Sequence, residues 1–180
     1  MSVKNIFGDL LKIKGEFTYI IQQCNCLCVH PHGLAEDIAN AFPYANVYGK
    51  RKQMGRRNLA YPEYRDTPGT FRTYFGSKLN DPTIVALFAQ YDFGKSGRDY
   101  GNRPKDYDDS NENREKWFKS SLFSFGEHVE NMGLDKEKVT IYFPFKIGCG
   151  LAGGDWSHYK PMIEEFSKKF GLNVFIVNNM

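Results

Sequence analysis

The chain has 180 residues, 41% hydrophobic and 16% aromatic, which suits one compact domain with a real core and excludes a disordered tail. A formal net charge of +3 is too small to argue for nucleic acid by itself, and no stretch approaches the length of a membrane span. The N-terminus, MSVKNIFGDLLKIKGEF, lacks the apolar core of a signal peptide, so a cytoplasmic protein is the expectation.

Val3–Phe7 reads as a short strand and Tyr19–Val29 as a long buried one. Cys24, Cys26 and Cys28 alternate along the second strand, share one face and leave Asn25 on the other. Together with Cys149 they could be considered for zinc, but thiols two apart on a rigid strand lie too far along it to share one ion, and no C-x₂-C spacing occurs. Buried free thiols and no metal are expected.

Gly33–Phe42 reads as a helix with Leu34, Ile38 and Phe42 on one side. Asn46–Pro68 is basic, without period, and reads as an ordered loop with short helical turns; its Lys50, Arg51, Lys52, Arg56 and Arg57 read as a solvated surface. Phe71–Phe75 and Thr83–Ala89 are strands around an Asn80-Asp81-Pro82 turn, and Tyr91–Asn113 is a polar segment that reads as a long mobile insertion. Phe118, Leu122, Phe125 and Val129 recur at helical spacing over about Glu112 to Met132, with a stop near Gly133. Val139–Phe143 and Asn173–Val177 are strands, and between them Tyr159, Met162, Ile163, Phe166 and Phe170 form the stripe of a last helix, capped by Asp155 and stopped by Gly171.

Such alternation of strands and helices predicts a helix-covered, largely parallel sheet in a single domain over residues 1–180, with ligands beyond the carboxyl ends of the strands. Just before the last helix, Gly148, Gly150, Gly153 and Gly154 fall within seven residues after an apolar run. That is the layout of a phosphate-binding loop: glycines let backbone approach a ligand, and loop and helix start aim N–H groups at an anion. Gly148 to Gly153 also fits G-x-G-x-x-G, but the one strand remaining after it carries no acid for a ribose, which argues against a dinucleotide oxidoreductase.

Several of these segments carry a family likeness. Gly8-Asp9-Leu10 after the first strand, Cys24-Asn25-Cys26 in the second, Gly33-Leu34-Ala35 opening the first helix, Phe88-Ala89-Gln90 before a variable loop, and Ile147 to Trp156 (IGCGLAGGDW) together resemble a macro domain, nearest the ADP-ribose-1″-phosphate phosphatase branch. The resemblance covers essentially the whole chain. It implies a three-layer α/β/α fold with a central mixed, largely parallel sheet, and binding of ADP-ribose or a derivative without a cofactor. It further implies hydrolysis of a group from the distal ribose, with an ADP-ribosylated protein as a further partner; a non-catalytic ADP-ribose reader is the alternative. Membrane and nucleic acid are not expected partners.

On this resemblance Asp9, with Leu10 beside it, accepts a hydrogen bond from the adenine amino group, and Asn25 contacts the distal ribose. Gly33, Leu34 and Ala35 face the diphosphate, and Gly148, Cys149, Gly150, Leu151, Ala152, Gly153 and Gly154 wrap the other phosphate and ribose. Asp9 could instead close a turn, and Asn25 could fix loop backbone. Where many macro domains have a run of glycines, this chain has His30-Pro31-His32-Gly33, which makes His32 a candidate general base and, equally, a loop-shaping residue. Asp155 has two open roles, helix cap or activator of water, and Lys95 and Lys146 are options for an amine adduct at the ribose anomeric carbon.

Overall fold

The computed structural model describes residues 2–98 and 101–179, and among them six strands and three α-helices alternate along the chain. The strands are β1 (Val3–Phe7), β2 (Thr18–Asn25), β3 (Phe71–Tyr74), β4 (Thr83–Gln90), β5 (Thr140–Pro144) and β6 (Asn173–Asn178). They form one sheet in the order β1-β6-β5-β2-β4-β3, in which every pair is parallel except β3 with β4. The helices are α1 (Leu34–Ala41), α2 (Asn111–Asn131) and α3 (Trp156–Phe170).

Helices cover both faces, which is why the central strands are nearly unbroken apolar runs. On one face Tyr19, Ile21, Val85, Leu87, Ile141 and Phe143 meet the stripes of α2 (Phe118, Leu122, Phe125, Val129) and α3 (Tyr159, Ile163, Phe166, Phe170). On the other, Ile20 and Ile84 pack on Ile38 of α1, with Leu10, Phe42 and Ala45. This is the three-layer α/β/α arrangement with a mixed, mostly parallel sheet. Ser110 caps α2 by accepting from the Asn113 N–H at 3.1 Å, Asp155 caps α3 by accepting from Ser157 N–H at 2.9 Å, and Gly171 at φ 63° ends α3.

Three expectations need correction. The second strand stops at Asn25, four residues short of Val29, because the Asn25 Oδ1 accepts from the N–H groups of Leu27 (3.1 Å) and Cys28 (2.9 Å) and so takes donors that a ladder would need. Cys26 and Cys28 therefore lie in a turn beyond the strand, still buried. Secondly, the basic loop contains 3₁₀ turns at Tyr48–Lys50 and Pro62–Tyr64 as expected, but Arg51 is buried and not part of a solvated face.

The third concerns the polar segment after β4, several of whose described residues are fastened to the fold. Asp92 holds Arg103 through two bonds of 2.8 and 2.7 Å, Tyr91 Oη donates to Asp106 at 2.9 Å, and Asp109 accepts from the N–H groups of Tyr91 and Asp92, both at 3.0 Å. Asp99 and Tyr100 lie outside the described residues. Among the described residues no helix is long and apolar enough to cross a membrane, and no three His, Cys, Asp or Glu side chains are grouped to hold a metal.

The two helices on one face approach closely at Gly126, where an added Cβ would lie 2.4 Å from Phe170 Cε2. Phe170 cannot swing aside, since Phe123 and Phe166 pack on it with ring centroids 5.8 and 5.5 Å away. Gly126→Ala should destabilise the protein by about 1–3 kcal/mol through overpacking, despite the better helix propensity of alanine. Urea denaturation followed by circular dichroism checks this; an unchanged midpoint would show that α3 shifts freely.

Candidate functional site

Because β2, β4 and β5 run parallel, Asn25, Gln90 and Pro144 arrive at the same edge of the sheet, and irregular backbone beyond them surrounds a cleft of about 370 Å³. One wall is the start of α1 with His30, His32, Gly33, Leu34 and Ala35; the other is Lys146, Ile147, Gly148, Gly150, Leu151 and Ala152. Gln23, Gln90 and Tyr48 also contribute to the lining, and Phe93, Gly94 and Phe145 rim it.

Asn25 illustrates how the cleft is set. Its Oδ1 is occupied by the Leu27 and Cys28 N–H groups, its backbone N–H donates to the Tyr48 hydroxyl at 2.9 Å, and its Nδ2 makes no bond to protein among the described residues. The side chain therefore presents a donor to the cleft. Behind it the Arg51 guanidinium, between the rings of Tyr48 (5.0 Å) and Phe88 (5.6 Å), donates to the carbonyls of Asn25 and Cys28, both at 2.8 Å, and pairs with Asp66 at 2.8 Å.

The opposite wall is a tight glycine loop. Gly154 N–H donates to Gly148 O at 3.0 Å, and a Cβ on Gly154 would lie 2.5 Å from that carbonyl, so these backbones can only meet without side chains. Gly148 and Gly153 have φ of 76° and 74°. Gly150 differs: its φ is ordinary and an added Cβ would meet nothing within 4 Å. Arg114, buried on α2, donates to Ala152 O (3.2 Å) and Gly94 O (2.7 Å) and holds Asp109 through bonds of 2.8 and 2.7 Å.

Anion-binding capacity lies in backbone donors. The N–H groups of Leu34 and Ala35, in the first turn of α1, and those of Gly150, Leu151 and Ala152 have no acceptor among the described residues. Gly33, at φ 57° and ψ −131°, turns the chain into α1 in a conformation only glycine adopts readily. Lys146, itself at φ 59°, is the cation in the lining, and among the described residues no carboxylate belongs to it.

The structure thus gathers Asn25, His32, Gly33, Leu34, Ala35, Gly148, Gly150, Leu151, Ala152 and Lys146. It leaves others outside the lining. Leu10 is buried against Ile20 and Ile38, and Asp9 stands at the end of β1, where its Oδ1 accepts from Leu11 N–H at 2.9 Å. Asp155 is exposed, with its Oδ1 taken by the N–H and hydroxyl of Ser157 at 2.9 and 2.7 Å, and these bonds hold its pKa low. Gly153 and Gly154 shape the loop from behind, and the Lys95 stem packs at Gly153 while its residue lines a neighbouring cavity.

Cys149 is turned away, its thiol donating to Ile147 O at 3.3 Å; burial and the nearby Asp155 charge raise its pKa to about 11. Burial raises Cys24 to about 12 and Cys28 to about 11, so these thiols are poor nucleophiles near neutral pH. Sequence reasoning missed Gln23, Gln90 and Tyr48. Gln23 Nε2 donates to Gln90 Oε1 at 2.8 Å across adjacent strands, and the polar pair within two apolar strand runs was the available signal.

No family model matches the chain. A 17.5 kDa protein from the tk-vs intergenic region of Enterobacteria phage T4 is 25% identical over 186 residues, spanning 99% of this chain and 97% of that protein. Among solved structures, the macrodomain of DarG from Mycobacterium tuberculosis aligns with a TM-score of 0.68 at 15% identity, over 98% of this chain and 96% of that one. A point mutant of the Oceanobacillus iheyensis macrodomain, solved with ADPR, aligns with a TM-score of 0.53 at 14% identity, over 97% of this chain and 83% of that one. The fold is that of the macrodomains.

The glycine geometry separates two kinds of variant. Gly154→Ala should destabilise the loop by about 1–3 kcal/mol, since its Cβ meets backbone that must move. Gly150→Val should leave the melting temperature within a few degrees, because its side chain enters the open cleft, yet occupy the space of a bound anion. Thermal unfolding of the two proteins tests the contrast, and an equal loss of stability would show that Gly150 also packs internally.

Proposed function

We propose that the chain binds ADP-ribose or a derivative in this cleft and hydrolyses a group from the distal ribose. The observation that supports this reading best is the set of unpaired backbone N–H groups at Leu34, Ala35, Gly150, Leu151 and Ala152 on facing walls, with the Asn25 amide between strand end and helix start. A diphosphate is the anion such donors suit, because helix start and glycine loop supply hydrogen bonds and partial positive charge without a bulky cation. Asn25 Nδ2 then donates to a distal-ribose oxygen. Asp9, with Oδ1 engaged and Oδ2 open to solvent, accepts from the adenine amino group at the β1 end.

His32 is the group for proton transfer, since it is exposed at the cleft wall and no protein partner holds it among the described residues. Its imidazole takes the proton of a water whose oxygen attacks the phosphoryl, acyl or anomeric centre; the bond from that centre to its leaving group breaks, the imidazolium returns the proton to the leaving group, and ADP-ribose is released together with phosphate, a carboxylic acid or the freed protein side chain. Asp155, bound up as the α3 cap, is the weaker candidate. The lack of a lining carboxylate among the described residues favours the second reading, a binding module that does not turn its ligand over.

Titration calorimetry with free ADP-ribose tests the binding step, and no heat at millimolar ligand would end this reading. Asp9→Asn keeps the cap on Leu11 but replaces the open acceptor by a donor. It should weaken ADP-ribose by about 1–3 kcal/mol and leave ribose 5-phosphate unchanged. An equal loss for both ligands would make Asp9 structural.

His32→Ala should lower turnover of ADP-ribose 1″-phosphate, O-acetyl-ADP-ribose or mono-ADP-ribosylated protein by at least about 10²-fold, with ADP-ribose affinity changed less than about tenfold. Asp155→Ala should mainly cost helix stability, read as a lower melting temperature, and leave turnover in place. If turnover instead disappears in Lys95→Ala or Lys146→Ala, and borohydride traps a covalent adduct with the wild type, an amine attacks in place of water. Wild-type protein that binds ADP-ribose but turns over none of the three is a reader.

A further inference from the structure

We propose that a second cavity, between the basic segment and β3, binds single-stranded nucleic acid. It measures about 520 Å³ and lies away from the cleft, lined in part by Lys50, Arg65, Arg72, Tyr64 and Tyr74. The sequence does not lead one to expect nucleic acid as a partner; the fold sets the exposed Tyr64 ring beside basic residues that lie apart along the chain.

Charge in this cavity is unbalanced. Its two carboxylates are Glu63 and Asp66, and Asp66 is consumed by Arg51 at 2.8 Å and Arg72 at 2.6 Å. Glu63 alone then stands against Lys50 and Arg65, neither of which is paired to a carboxylate among the described residues. Arg51 is spent within the fold, its two Nη atoms engaged by Asn25, Cys28 and Asp66 and its Nε buried, so it adds no donor to the cavity. Lys52, Arg56 and Arg57, all exposed, extend the positive stretch along the same segment.

A ring completes the chemistry. Tyr64 is 44% exposed, and among the described residues no ring or cation packs on it, so a face is open to a base. The Lys50 ammonium lies over the Tyr74 ring, 4.9 Å from its centroid, and Tyr74 packs against the core, so Tyr64 is the ring a base can reach and Lys50 supplies a charge for the adjacent phosphate. An acidic peptide would satisfy the cations but leave Tyr64 without a role. That difference favours nucleic acid.

Fluorescence anisotropy with a labelled dodecamer of deoxythymidylate tests the proposal on the whole chain. Micromolar binding is expected at about 50 mM salt, weakening as salt rises with a slope of about −0.7 per neutralised phosphate. Arg65→Glu should weaken binding tenfold or more, and Tyr64→Ala, an exposed change that spares the fold, about fivefold to a hundredfold. Lys168→Glu on α3 carries the same charge change elsewhere and should alter binding less than twofold, while ADP-ribose calorimetry stays unchanged in all three. No binding, loss in Lys168→Glu equal to that in Arg65→Glu, insensitivity to Tyr64→Ala, or displacement by an equimolar polyglutamate peptide would each overturn the proposal. None of these outcomes touches the reading of the cleft, whose calorimetry is separate.

Discussion

Two buried guanidinium groups fix the two lips of the cleft, and the geometry of the site depends on them. Beyond the strand ends the backbone is irregular, so its buried carbonyls have no ladder to accept from. Arg51 supplies donors to Asn25 and Cys28 on one lip; Arg114 supplies them to Gly94 and Ala152 on the other. Each charge is balanced by a carboxylate, Asp66 or Asp109; Asp66 lies on a different loop from the carbonyls that Arg51 holds, while Asp109 shares the 91–110 segment with Gly94 and lies apart from Ala152. A lysine carries its three donors on one nitrogen, whereas the planar fork of arginine spreads five over three nitrogens and so reaches acceptors that lie apart. The desolvation cost of each ion is offset only while all its bonds are made, which ties the 43–66 segment and the 91–110 segment to the cleft as parts of one cooperative arrangement.

That arrangement divides electrostatic work within the molecule. Ligand-facing walls carry neutral donors, the amide of Asn25 and the N–H groups of a helix start and a glycine loop, with Lys146 as the cation among them. Lys50, Arg65 and Arg72 instead line the other cavity. Arg51 belongs to the boundary, its Nη atoms turned to the cleft lip and to Asp66. Neutral donors discriminate by position, since a dipole binds well only along its axis, whereas cations attract any anion. On the proposed function, which asks the site to hold a flexible diphosphate in one pose, the former are the better material.

The long periodic helices were legible in the sequence because burial of one face dictates their pattern: Phe118 to Val129 and Tyr159 to Phe170 all lie in the core. The end of β2 was not, since its apolar alternation continues through Cys28 while a single side-chain oxygen at Asn25 diverts the backbone donors. Composition also misled at Arg51. A run of cations reads as solvated, and the partner that permits burial, Asp66, is fifteen residues away in sequence and recognisable only once the loop is folded. The glycine loop was found as a unit, but its members do different things: Gly148 and Gly154 allow two backbones to touch, and Gly150 faces open space. Identity alone carries no information on which is which. Gln23 and Gln90 were passed over for a related reason, because their cross-strand bond depends on a register shift at Asn25.

Three polar residues left with both a structural and a ligand role by the sequence separate when their atoms are followed one at a time. Asn25 uses Oδ1 for the turn and keeps Nδ2 for the cleft, so the structural role does not compete with the proposed ligand role, and the turn is what aims the free amide. Asp9 is alike in form: one oxygen caps Leu11, the other stays open, and the residue can serve the fold and accept a hydrogen bond without conflict. Asp155 has the same cap geometry but differs in its second oxygen, which lies 3.6 Å from His158 Nε2, itself part of an exposed pair with Glu115. Both of its oxygens are directed to α3 and its neighbours. A carboxylate so engaged, with its pKa lowered by the Ser157 bonds, is a poor base, because the interactions that stabilise the anion also weaken its pull on a proton. The same capping chemistry that leaves one atom free at Asn25 and Asp9 ties one oxygen of Asp155 into α3 and sets the other beside His158, so on the proposed function the acid–base role falls to the histidine rim and the nearby amines.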